Sequence, residues 1–301
     1  MRPPDLTQVT SIKNIKTRFA PSPTGRLHLG HVLSAFLVYA IGKKVSAQLF
    51  LRIEDHDQGR SRQSHIDGIL EDLTWLGFHF ESSHIYLQSD HFDRYESYFQ
   101  KLHELGYTYY CDCSRKTISR RIGTDKSQLT YDGYCRNRNL GPGEGRGVRI
   151  RQESYTFSWK DLFLGPQVQT FDGLTGDPLI RERQGNWTYQ FAVAIDDLVE
   201  SMNLIIRGED ITHATGGQSY IKSLIHGKDC GAVYGHHPLI VGPDHLKLSK
   251  RLRSTTISSL REQGIEPEEV FRQIAKEIGI GERKNPIGLS ELIEEYWNGR
   301  T

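Results

Sequence analysis

Two short apolar stretches of this chain each run directly into acidic residues, and stretches with helical spacing stand before them. The first, AQLFLRIEDHD, follows the apolar stretch VLSAFLVYAIGKKV, and the second, LIIRGED, follows AIDDLVESMN. Apolar runs of this length indicate buried strands, and strands that alternate with helices form parallel sheets with sites at their carboxyl ends. We therefore predict an α/β fold with a Rossmann-like, doubly wound parallel sheet.

Differences in composition and residue spacing divide the chain into four parts. Residues 14-110 and 185-253 carry the strand and helix patterns, and we predict that they form the two halves of one sheet domain. Residues 111-184 contain a cysteine cluster, the glycine-rich turn NLGPGEGRG and short β-like runs, which predict an insertion. Residues 254-301 are polar with amphipathic spacing, which predicts a short helical segment.

Composition narrows the class of protein. Charged residues make up 25% of the 301 residues, the formal net charge is +1, and the N-terminal stretch is polar. No window approaches the roughly 18 apolar residues of a membrane span, and no apolar signal segment opens the chain. We expect a monomeric cytoplasmic protein that does not enter a membrane. The near-zero net charge disfavours a non-specific coat for nucleic acid.

The stretch RFAPSPTGRLHLGH, residues 18-31, places His28 and His31 at the predicted start of a helix. The free N–H groups and positive dipole end of a helix attract phosphate, and the two histidines would donate further hydrogen bonds. Gly30 has no side chain and would let a flat base lie against the backbone. The alternative is a capped surface helix with incidental histidines.

A second stretch, LKLSKR, places Lys247 and Lys250 on one predicted loop. Two ammonium groups on a loop can neutralise a departing pyrophosphate. Taken alone, the stretch favours a basic surface loop without a catalytic function.

Together these motifs resemble those of class I aminoacyl-tRNA synthetases. HLGH is similar to their HIGH signature and KLSKR to their KMSKS signature, while RFAPSPTGRLHLGH with LRIEDHD resembles the glutamyl-tRNA synthetases specifically. YYCDC, YDGYC and AIDDLVESMNLIIRGED extend the resemblance to roughly residues 17-253. The resemblance implies a class I synthetase catalytic domain that activates glutamate with ATP.

The resemblance also implies roles for residues of the site. His28 and His31 would contact the ATP phosphates, Gly30 would pack under adenine, and Mg²⁺ would arrive with the nucleotide. Lys247 and Lys250 would hold the β- and γ-phosphates. In the implied glutamate site Glu54 takes the α-ammonium group, and Arg18 and Arg207 take the side-chain carboxylate. Tyr189 would add a hydrogen bond, and Ala20 and Ser22 would line the pocket. Without the resemblance, an ion pair of Arg207 with Glu209 or Asp210 would be the simpler interpretation.

Two departures from the full synthetases refine the expectation. About 48 residues follow the KLSKR loop, so we expect no anticodon-binding domain, and Val193 stands where the synthetases usually have Asn. Both features are typical of the glutamyl-Q tRNA(Asp) synthetases. Membership of that family implies transfer of activated glutamate to queuosine, the modified wobble base of tRNA-Asp.

The cysteines form a candidate metal site. Cys111 and Cys113 are followed by Cys135, with Tyr131 four residues before it. Spacing alone is a weak zinc signal, and buried or free thiols are the alternative. The glutamyl-Q family pattern of CxC and YxxxC implies one structural Zn²⁺ held by these four residues. His103 or a water remains an alternative fourth ligand, and Cys230 is not expected to bind metal.

Two other functions remain open at this point. One is a minimal glutamyl-tRNA synthetase that charges a tRNA 3′ end. The other is a catalytically silent paralogue that binds RNA or a nucleotide. Both signature histidines, both signature lysines and the expected pocket residues are present, so nothing in the sequence indicates a damaged site.

Overall fold

A computed structural model describes residues 1–123, 130–227, 231–240, 255–281 and 285–299 of the chain. The strands, in chain order, are β1 (Lys16–Phe19), β2 (Gln48–Ile53), β3 (Ile85–Leu87), β4 (Thr108–Cys111), β5 (Gly147–Ile150), β6 (Ser154–Asp161), β7 (Gly165–Asp172), β8 (Leu179–Arg181), β9 (Leu204–Gly208) and β10 (Val233–His237). The helices are α1 (Thr7–Thr10), α2 (Leu29–Lys44), α3 (Gln63–Trp75), α4 (Phe92–Glu104), α5 (Arg115–Ile122), α6 (Tyr189–Val199), α7 (Thr215–His226), α8 (Ile257–Glu262), α9 (Pro267–Glu277) and α10 (Leu289–Asn298). Short 3₁₀ helices lie at Ser82–His84, Gln88–His91 and Glu209–Ala214.

The main sheet has five parallel strands in the order β10-β9-β1-β2-β3. This confirms the predicted α/β architecture. β1 lies between β2 and β9, so the loops after these three strands meet at one edge of the sheet. The residues that end AQLFLRIEDHD and LIIRGED come together there, although about 150 residues separate them in the chain.

Helix α2 connects β1 to β2 and is buried on almost all sides. Its apolar residues occur around the whole circumference, which is typical of a helix in a core rather than on a surface. One side faces the sheet, and another meets the C-terminal helices α9 and α10, whose Phe271 and Tyr296 join the same apolar cluster. The described part of residues 254-301 is therefore helical, as the sequence indicates, and it completes the main core.

The segment between the two halves of the sheet forms two small β structures. Strands β4, β5 and β8 make a three-stranded antiparallel sheet, and β6 and β7 make a hairpin. The three-stranded sheet begins at Thr108, shortly before the predicted boundary at residue 111, and packs on α4 and α6 through Phe99, Ile150 and Phe191. The hairpin packs on the main sheet through Phe157 and Tyr234.

Helix α3 carries a buried carboxylate that faces α8. Asp72 has no exposed surface, and the closest guanidinium nitrogen, on Arg261, is 3.7 Å from its Oδ1. Burial raises the pKa of Asp72 to about 6, and the attraction of Arg261 only partly opposes this shift.

Among the described helices, none is long and apolar enough to span a membrane.

Candidate active site

A cavity of about 450 Å³ opens at the carboxyl ends of β1, β2 and β9. We call it the Arg207 cavity. All six residues that the resemblance assigns to the amino acid line it, and they come from four separate parts of the chain: Arg18, Ala20, Ser22, Glu54, Tyr189 and Arg207. The parallel sheet therefore gathers the predicted pocket residues around one space.

A second cavity of about 330 Å³ lies at the start of α2 and includes His28, Gly30 and His31. We call it the His28 cavity. His31 and Asp210 line both cavities, so the two spaces adjoin. A ligand in one cavity would lie beside a ligand in the other.

The two histidines cap α2 with their own rings. Nδ1 of His28 accepts the backbone N–H of Gly30 at 3.1 Å, and Nδ1 of His31 accepts the backbone N–H of His28 at 3.2 Å. Because both Nδ1 atoms accept, each neutral ring carries its proton on Nε2. Burial lowers the pKa of His28, and burial together with His28 lowers the pKa of His31 to about 3. The pair thus offers two uncharged N–H donors.

Gly30 leaves room for the capping ring. A β-carbon at this position would lie 3.0 Å from Cε1 and 3.2 Å from Nδ1 of His28. A side chain would press on the imidazole that caps the helix, so the glycine has a steric function in this structure.

Arg18 belongs to a buried network of ion pairs beside the Arg207 cavity. Its Nε and Nη2 donate to the two carboxylate oxygens of Asp197 at 2.9 and 3.3 Å. Arg52 donates to the same Asp197 at 2.7 Å and to Oε1 of Glu54 at 3.0 Å. Burial alone would raise the pKa of Asp197, but the two arginines outweigh it and hold that pKa well below its usual range.

The network also orients Glu54. Its contact with Arg52 engages Oε1, so the other carboxylate oxygen can receive a cation in the Arg207 cavity. Two arginines and two carboxylates balance in charge, and Glu54 is therefore fixed in place without losing its acceptor capacity.

Arg207 has a different environment. Only 5% of its surface is exposed, and its three acceptors are His236 at 3.0 Å, Gln218 at 2.8 Å and Thr215 at 2.8 Å. All three are neutral groups, because burial lowers the pKa of His236 even against the contact with Asp161. No carboxylate of the described residues forms an ion pair with Arg207, so the alternative pairing with Glu209 or Asp210 is not formed.

Sequence reasoning missed the residues that support the pocket. Arg52 and Asp197 lie in the stretches LRIEDHD and AIDDLVESMN, but the motifs imply no role for them, and no sequence pattern distinguishes His236 or Asp161. One signal was available, because an arginine inside the apolar run LFLRI must find a carboxylate if that run is a buried strand. Which carboxylate it finds depends on the tertiary structure.

The three predicted cysteine ligands come together in the insertion. The sulfur atoms of Cys111, Cys113 and Cys135 all lie within 4.8 Å of one another, and all three residues are buried. The hydroxyl of Tyr131 is 3.5 Å from Sγ of Cys111 and accepts the backbone N–H of Cys135 at 2.8 Å. Thiolates around one zinc lie roughly 4 Å apart, so this donor set fits such an ion.

Each sulfur also has a guanidinium neighbour. The three pairs have N to S distances of 3.3, 3.3 and 3.4 Å, and they are Arg149 with Cys111, Arg121 with Cys113 and Arg138 with Cys135. Positive charge at these distances favours thiolates, the form that binds metal, and it helps to lower the pKa of Cys111. At Cys113 burial and the neighbouring sulfurs outweigh Arg121 and raise the pKa to about 12 without a metal. His103 is not grouped with the three sulfur atoms, and its Nδ1 bonds the hydroxyl of Thr108 at 2.8 Å. The structure therefore does not bring His103 into the cluster as a fourth ligand.

A groove of about 880 Å³ runs from the Arg207 cavity along the insertion. We call it the insertion groove. It shares Asp57 and Arg60, which pair with each other, with the Arg207 cavity. Three more arginines and two more carboxylates line it, namely Arg115, Arg149, Arg183, Asp177 and Glu182.

Several predicted features fall elsewhere. Lys247, Lys250 and Cys230 lie outside the described residues, as do residues 124–129 of the insertion. Val193 is fully buried in α6 and lines neither cavity.

Comparison with known proteins places this geometry in a family. A glutamate–tRNA ligase of Nitratidesulfovibrio vulgaris is 34% identical over 291 residues, which cover 95% of this chain and 62% of that protein. One of Francisella tularensis subsp. novicida is 34% identical over 289 residues, which cover 94% of this chain and 61% of that protein. The chain thus spans about 62% of the length of the curated relatives it matches.

Solved structures show the same fold. A crystal structure of a glutamate tRNA ligase from Elizabethkingia meningosepticum, in complex with its amino acid, matches with a TM-score of 0.74 at 24% identity. The match covers 94% of this chain and 64% of that one. Residues 14–297 match the family described as tRNA synthetases class I (E and Q), catalytic domain. The chain therefore belongs to the family of class I tRNA synthetases (E and Q) and contains its catalytic domain.

Proposed function

We propose that the protein activates L-glutamate with ATP, releasing pyrophosphate, and transfers the glutamyl group to RNA. The observation that carries this proposal is the buried guanidinium of Arg207, whose acceptors are all neutral, in the same cavity as the carboxylate of Glu54. An isolated buried charge is costly, and the carboxylate of a ligand would compensate Arg207. An ammonium group at the other end of the same ligand would meet the oxygen of Glu54 that Arg52 does not engage.

In this proposal glutamate lies across the Arg207 cavity. Its α-ammonium group meets Glu54, and its side-chain carboxylate meets Arg207, with Tyr189 as a further hydrogen-bond donor. Burial raises the pKa of Tyr189, so its hydroxyl keeps its proton. Arg18 shares its charge with Asp197 and contributes a weaker attraction to the same carboxylate.

ATP occupies the adjoining His28 cavity. His28 and His31 donate their Nε2–H groups to phosphate oxygens, and the start of α2 adds the positive end of its dipole. Lys247 and Lys250 hold the β- and γ-phosphates, and Mg²⁺ bound with ATP neutralises phosphate charge. The glutamate α-carboxylate attacks the α-phosphorus and pyrophosphate leaves, so catalysis consists of positioning and charge stabilisation without a covalent protein nucleophile.

For the acceptor we propose queuosine at the wobble position of tRNA-Asp. A hydroxyl of its cyclopentene-diol ring would attack the carbonyl carbon of glutamyl-adenylate, lose its proton and release AMP. Two observations support an RNA substrate of this kind. CDC and YDGYC, the motifs that resemble the glutamyl-Q tRNA(Asp) synthetases, form one cluster, and the insertion groove brings arginines to the Arg207 cavity.

The cysteine cluster is proposed to hold one structural Zn²⁺. Cys111, Cys113 and Cys135 would supply three thiolates and Tyr131 the fourth ligand atom. A closed site of this type stabilises the fold around it. The cluster ties β4 to the segment around Tyr131 and Cys135, beside one wall of the insertion groove.

Two measurements test the function in order. The first is ATP–pyrophosphate exchange without tRNA, with glutamate, glutamine or aspartate. The second is transfer of labelled glutamate to tRNA from cells that make queuosine and from cells that cannot, with and without prior periodate, which cleaves a free cis-diol. We expect glutamate-dependent exchange, followed by label on tRNA-Asp that requires queuosine and is lost after periodate.

The other outcomes distinguish the alternatives. Label on tRNA-Glu from both sources would identify a minimal enzyme that charges the 3′ end. Absence of exchange and of label would contradict the enzymatic proposal and leave a protein that binds RNA or nucleotide without catalysis.

A further inference from the structure

A carboxylate of the insertion reaches the Arg207 cavity through one histidine. Asp161 ends β6, His236 lies on β10, and neither side chain has exposed surface. Oδ2 of Asp161 is 2.5 Å from Nδ1 of His236, and Oδ1 accepts the backbone N–H of His236 at 2.9 Å. The backbone N–H groups of Phe163 and Leu164 also donate to Oδ1, which fixes the carboxylate in the hairpin turn.

These contacts determine which nitrogen of His236 carries the proton. Although burial raises the pKa of Asp161, the hydrogen bonds it accepts from His236 lower that pKa to about 2, so the carboxylate is an acceptor only. Nδ1 of His236 must therefore be the protonated nitrogen. Nε2 keeps its lone pair, which accepts Nε–H of Arg207 at 3.0 Å and also faces the hydroxyl of Thr215 at 3.1 Å.

The hydrogen bonds of Arg207 to its three acceptors use only part of its guanidinium group. Arg207 has five N–H groups, and His236, Gln218 and Thr215 accept one each. One N–H on Nη1 and one on Nη2 have no acceptor among the residues that the structure describes, and a carboxylate binds two such N–H groups in a bidentate pair.

Comparison with Arg18 shows what the histidine contributes. Asp197 contacts Arg18 directly. It neutralises the charge of Arg18 and accepts the two N–H groups, on Nε and Nη2, that a ligand carboxylate could otherwise bind. At Arg207 a neutral imidazole separates the carboxylate of Asp161 from the guanidinium. The imidazole orients Arg207 without neutralising its charge, and the two remaining N–H groups, which we call the free fork, can bind a ligand.

We propose that Asp161 and His236 are positioning residues that aim the free fork of Arg207 at the substrate side chain and thereby select a carboxylate over an amide. The inference rests on the proposed function and adds the basis for choosing glutamate over glutamine. Glutamine would bring its own N–H donors to the N–H groups of Arg207 and would not compensate the buried charge.

Two substitutions of His236 separate the roles of its nitrogens. The amide of glutamine reaches the position of Nε2 and can still accept from Arg207, whereas the amide of asparagine reaches only the position of Nδ1 and Asp161. We expect His236→Gln to keep kcat/KM for glutamate within about five-fold of wild type in the exchange assay. His236→Asn should lower it about thirty-fold or more, mainly through KM, with a parallel loss of preference for glutamate over glutamine.

Asp161→Asn has a matched control on the same hairpin. Asp172 caps the turn after β7 through the backbone N–H groups of Leu174 and Thr175, just as Asp161 caps the turn after β6. We expect Asp161→Asn to raise KM for glutamate about ten-fold and Asp172→Asn to leave it unchanged. Equal effects of the two variants, or a stronger loss in His236→Gln than in His236→Asn, would overturn the inference.

A readout independent of activity separates this inference from the proposed function. Nitrogen-15 NMR of histidine-labelled wild-type protein should show His236 as a neutral ring protonated on Nδ1, with the signal assigned by its loss in His236→Gln. An Nε2–H tautomer or an imidazolium would refute the inference even if the protein activates glutamate. Absence of glutamate-dependent exchange in wild type would instead contradict the proposed function.

Discussion

Arg18 and Arg207 line the same cavity, and their partners give them different tasks. Arg18 is paired with Asp197 inside the protein, whereas Arg207 is held by neutral acceptors. Arg18 therefore stabilises the folded site, whereas Arg207 offers a positive charge without a carboxylate partner to a ligand in the Arg207 cavity. An arginine without a carboxylate partner is the strongest indication of a ligand at the scale of single residues.

We predict that Arg207→Ala lowers kcat/KM for glutamate in ATP–pyrophosphate exchange by about a hundred-fold or more, because the substrate carboxylate loses its charged donor. Arg272→Gln is a suitable control, since Arg272 is partly exposed, pairs with Glu269 on α9 and lines neither the Arg207 cavity nor the His28 cavity. Near-normal exchange in Arg207→Ala would remove this residue from the proposed pocket.

The sequence identifies the residues that face the Arg207 cavity better than the residues behind them. Side chains at strand ends follow from local patterns, and Glu54 and Arg207 are examples. Pairings such as Arg18 with Asp197 join positions 179 residues apart, and periodicity contains no information about them. The tautomers of His28 and His31 likewise depend on cap geometry that appears only when α2 begins at Leu29.

At the scale of elements, the contact between α3 and α8 contains a buried carboxylate, Asp72, whose pKa the guanidinium of Arg261 at 3.7 Å does not bring back to its ordinary value. The pKa of Asp72 is about 6 in the folded protein against an ordinary value of 3.8, so between these pH values the folded state holds a proton that the unfolded state has released. Stability should therefore fall as pH rises through this window.

We predict that Asp72→Asn removes this dependence and stabilises the protein above pH 7 by on the order of 2 kcal/mol, with little effect near pH 4. Urea unfolding of wild type and variant from pH 4 to pH 8 measures the difference. Asp67→Asn, on the exposed side of the same helix, should leave the pH profile unchanged. A constant offset between wild type and Asp72→Asn at every pH would contradict the prediction.

The cysteine cluster leads to a second prediction at this scale. Purified protein should contain about one zinc per chain, and Cys113→Ser should lower the metal content together with the melting temperature. Tyr131→Phe should weaken retention against a chelator, while Cys230→Ser should match wild type. Mass spectrometry of the bound metal measures each case, and metal-free wild-type protein would exclude the site.

At the scale of the whole molecule, the insertion is not a separate unit. Its three-stranded sheet shares a core with α4 and α6, and its hairpin packs on the main sheet. The composition of residues 111-184 differs from that of the flanking sequence and so indicates an insertion. Composition cannot show that Phe157 contacts Tyr234, which lies 77 residues further along the chain.

We predict that Phe157→Ala destabilises the whole protein by about 3–5 kcal/mol, because it leaves a cavity between the hairpin and the main sheet. Val168→Ala, at a hairpin position that is 64% exposed, should change stability by less than about 0.5 kcal/mol. Tryptophan fluorescence and far-UV circular dichroism should report one common transition in urea. Two separate transitions would show that the insertion unfolds independently.

His31 and Asp210 border both cavities, and this shared wall has a thermodynamic consequence. In the proposed function glutamate and a nucleotide occupy the two sides of this wall, and a ligand that orders the wall from one side would change the free energy of binding on the other. Linkage requires such an effect to be reciprocal, so glutamate would change the affinity for the nucleotide by the same factor by which the nucleotide changes the affinity for glutamate. Neither affinity would then have a single value without the concentration of the other ligand.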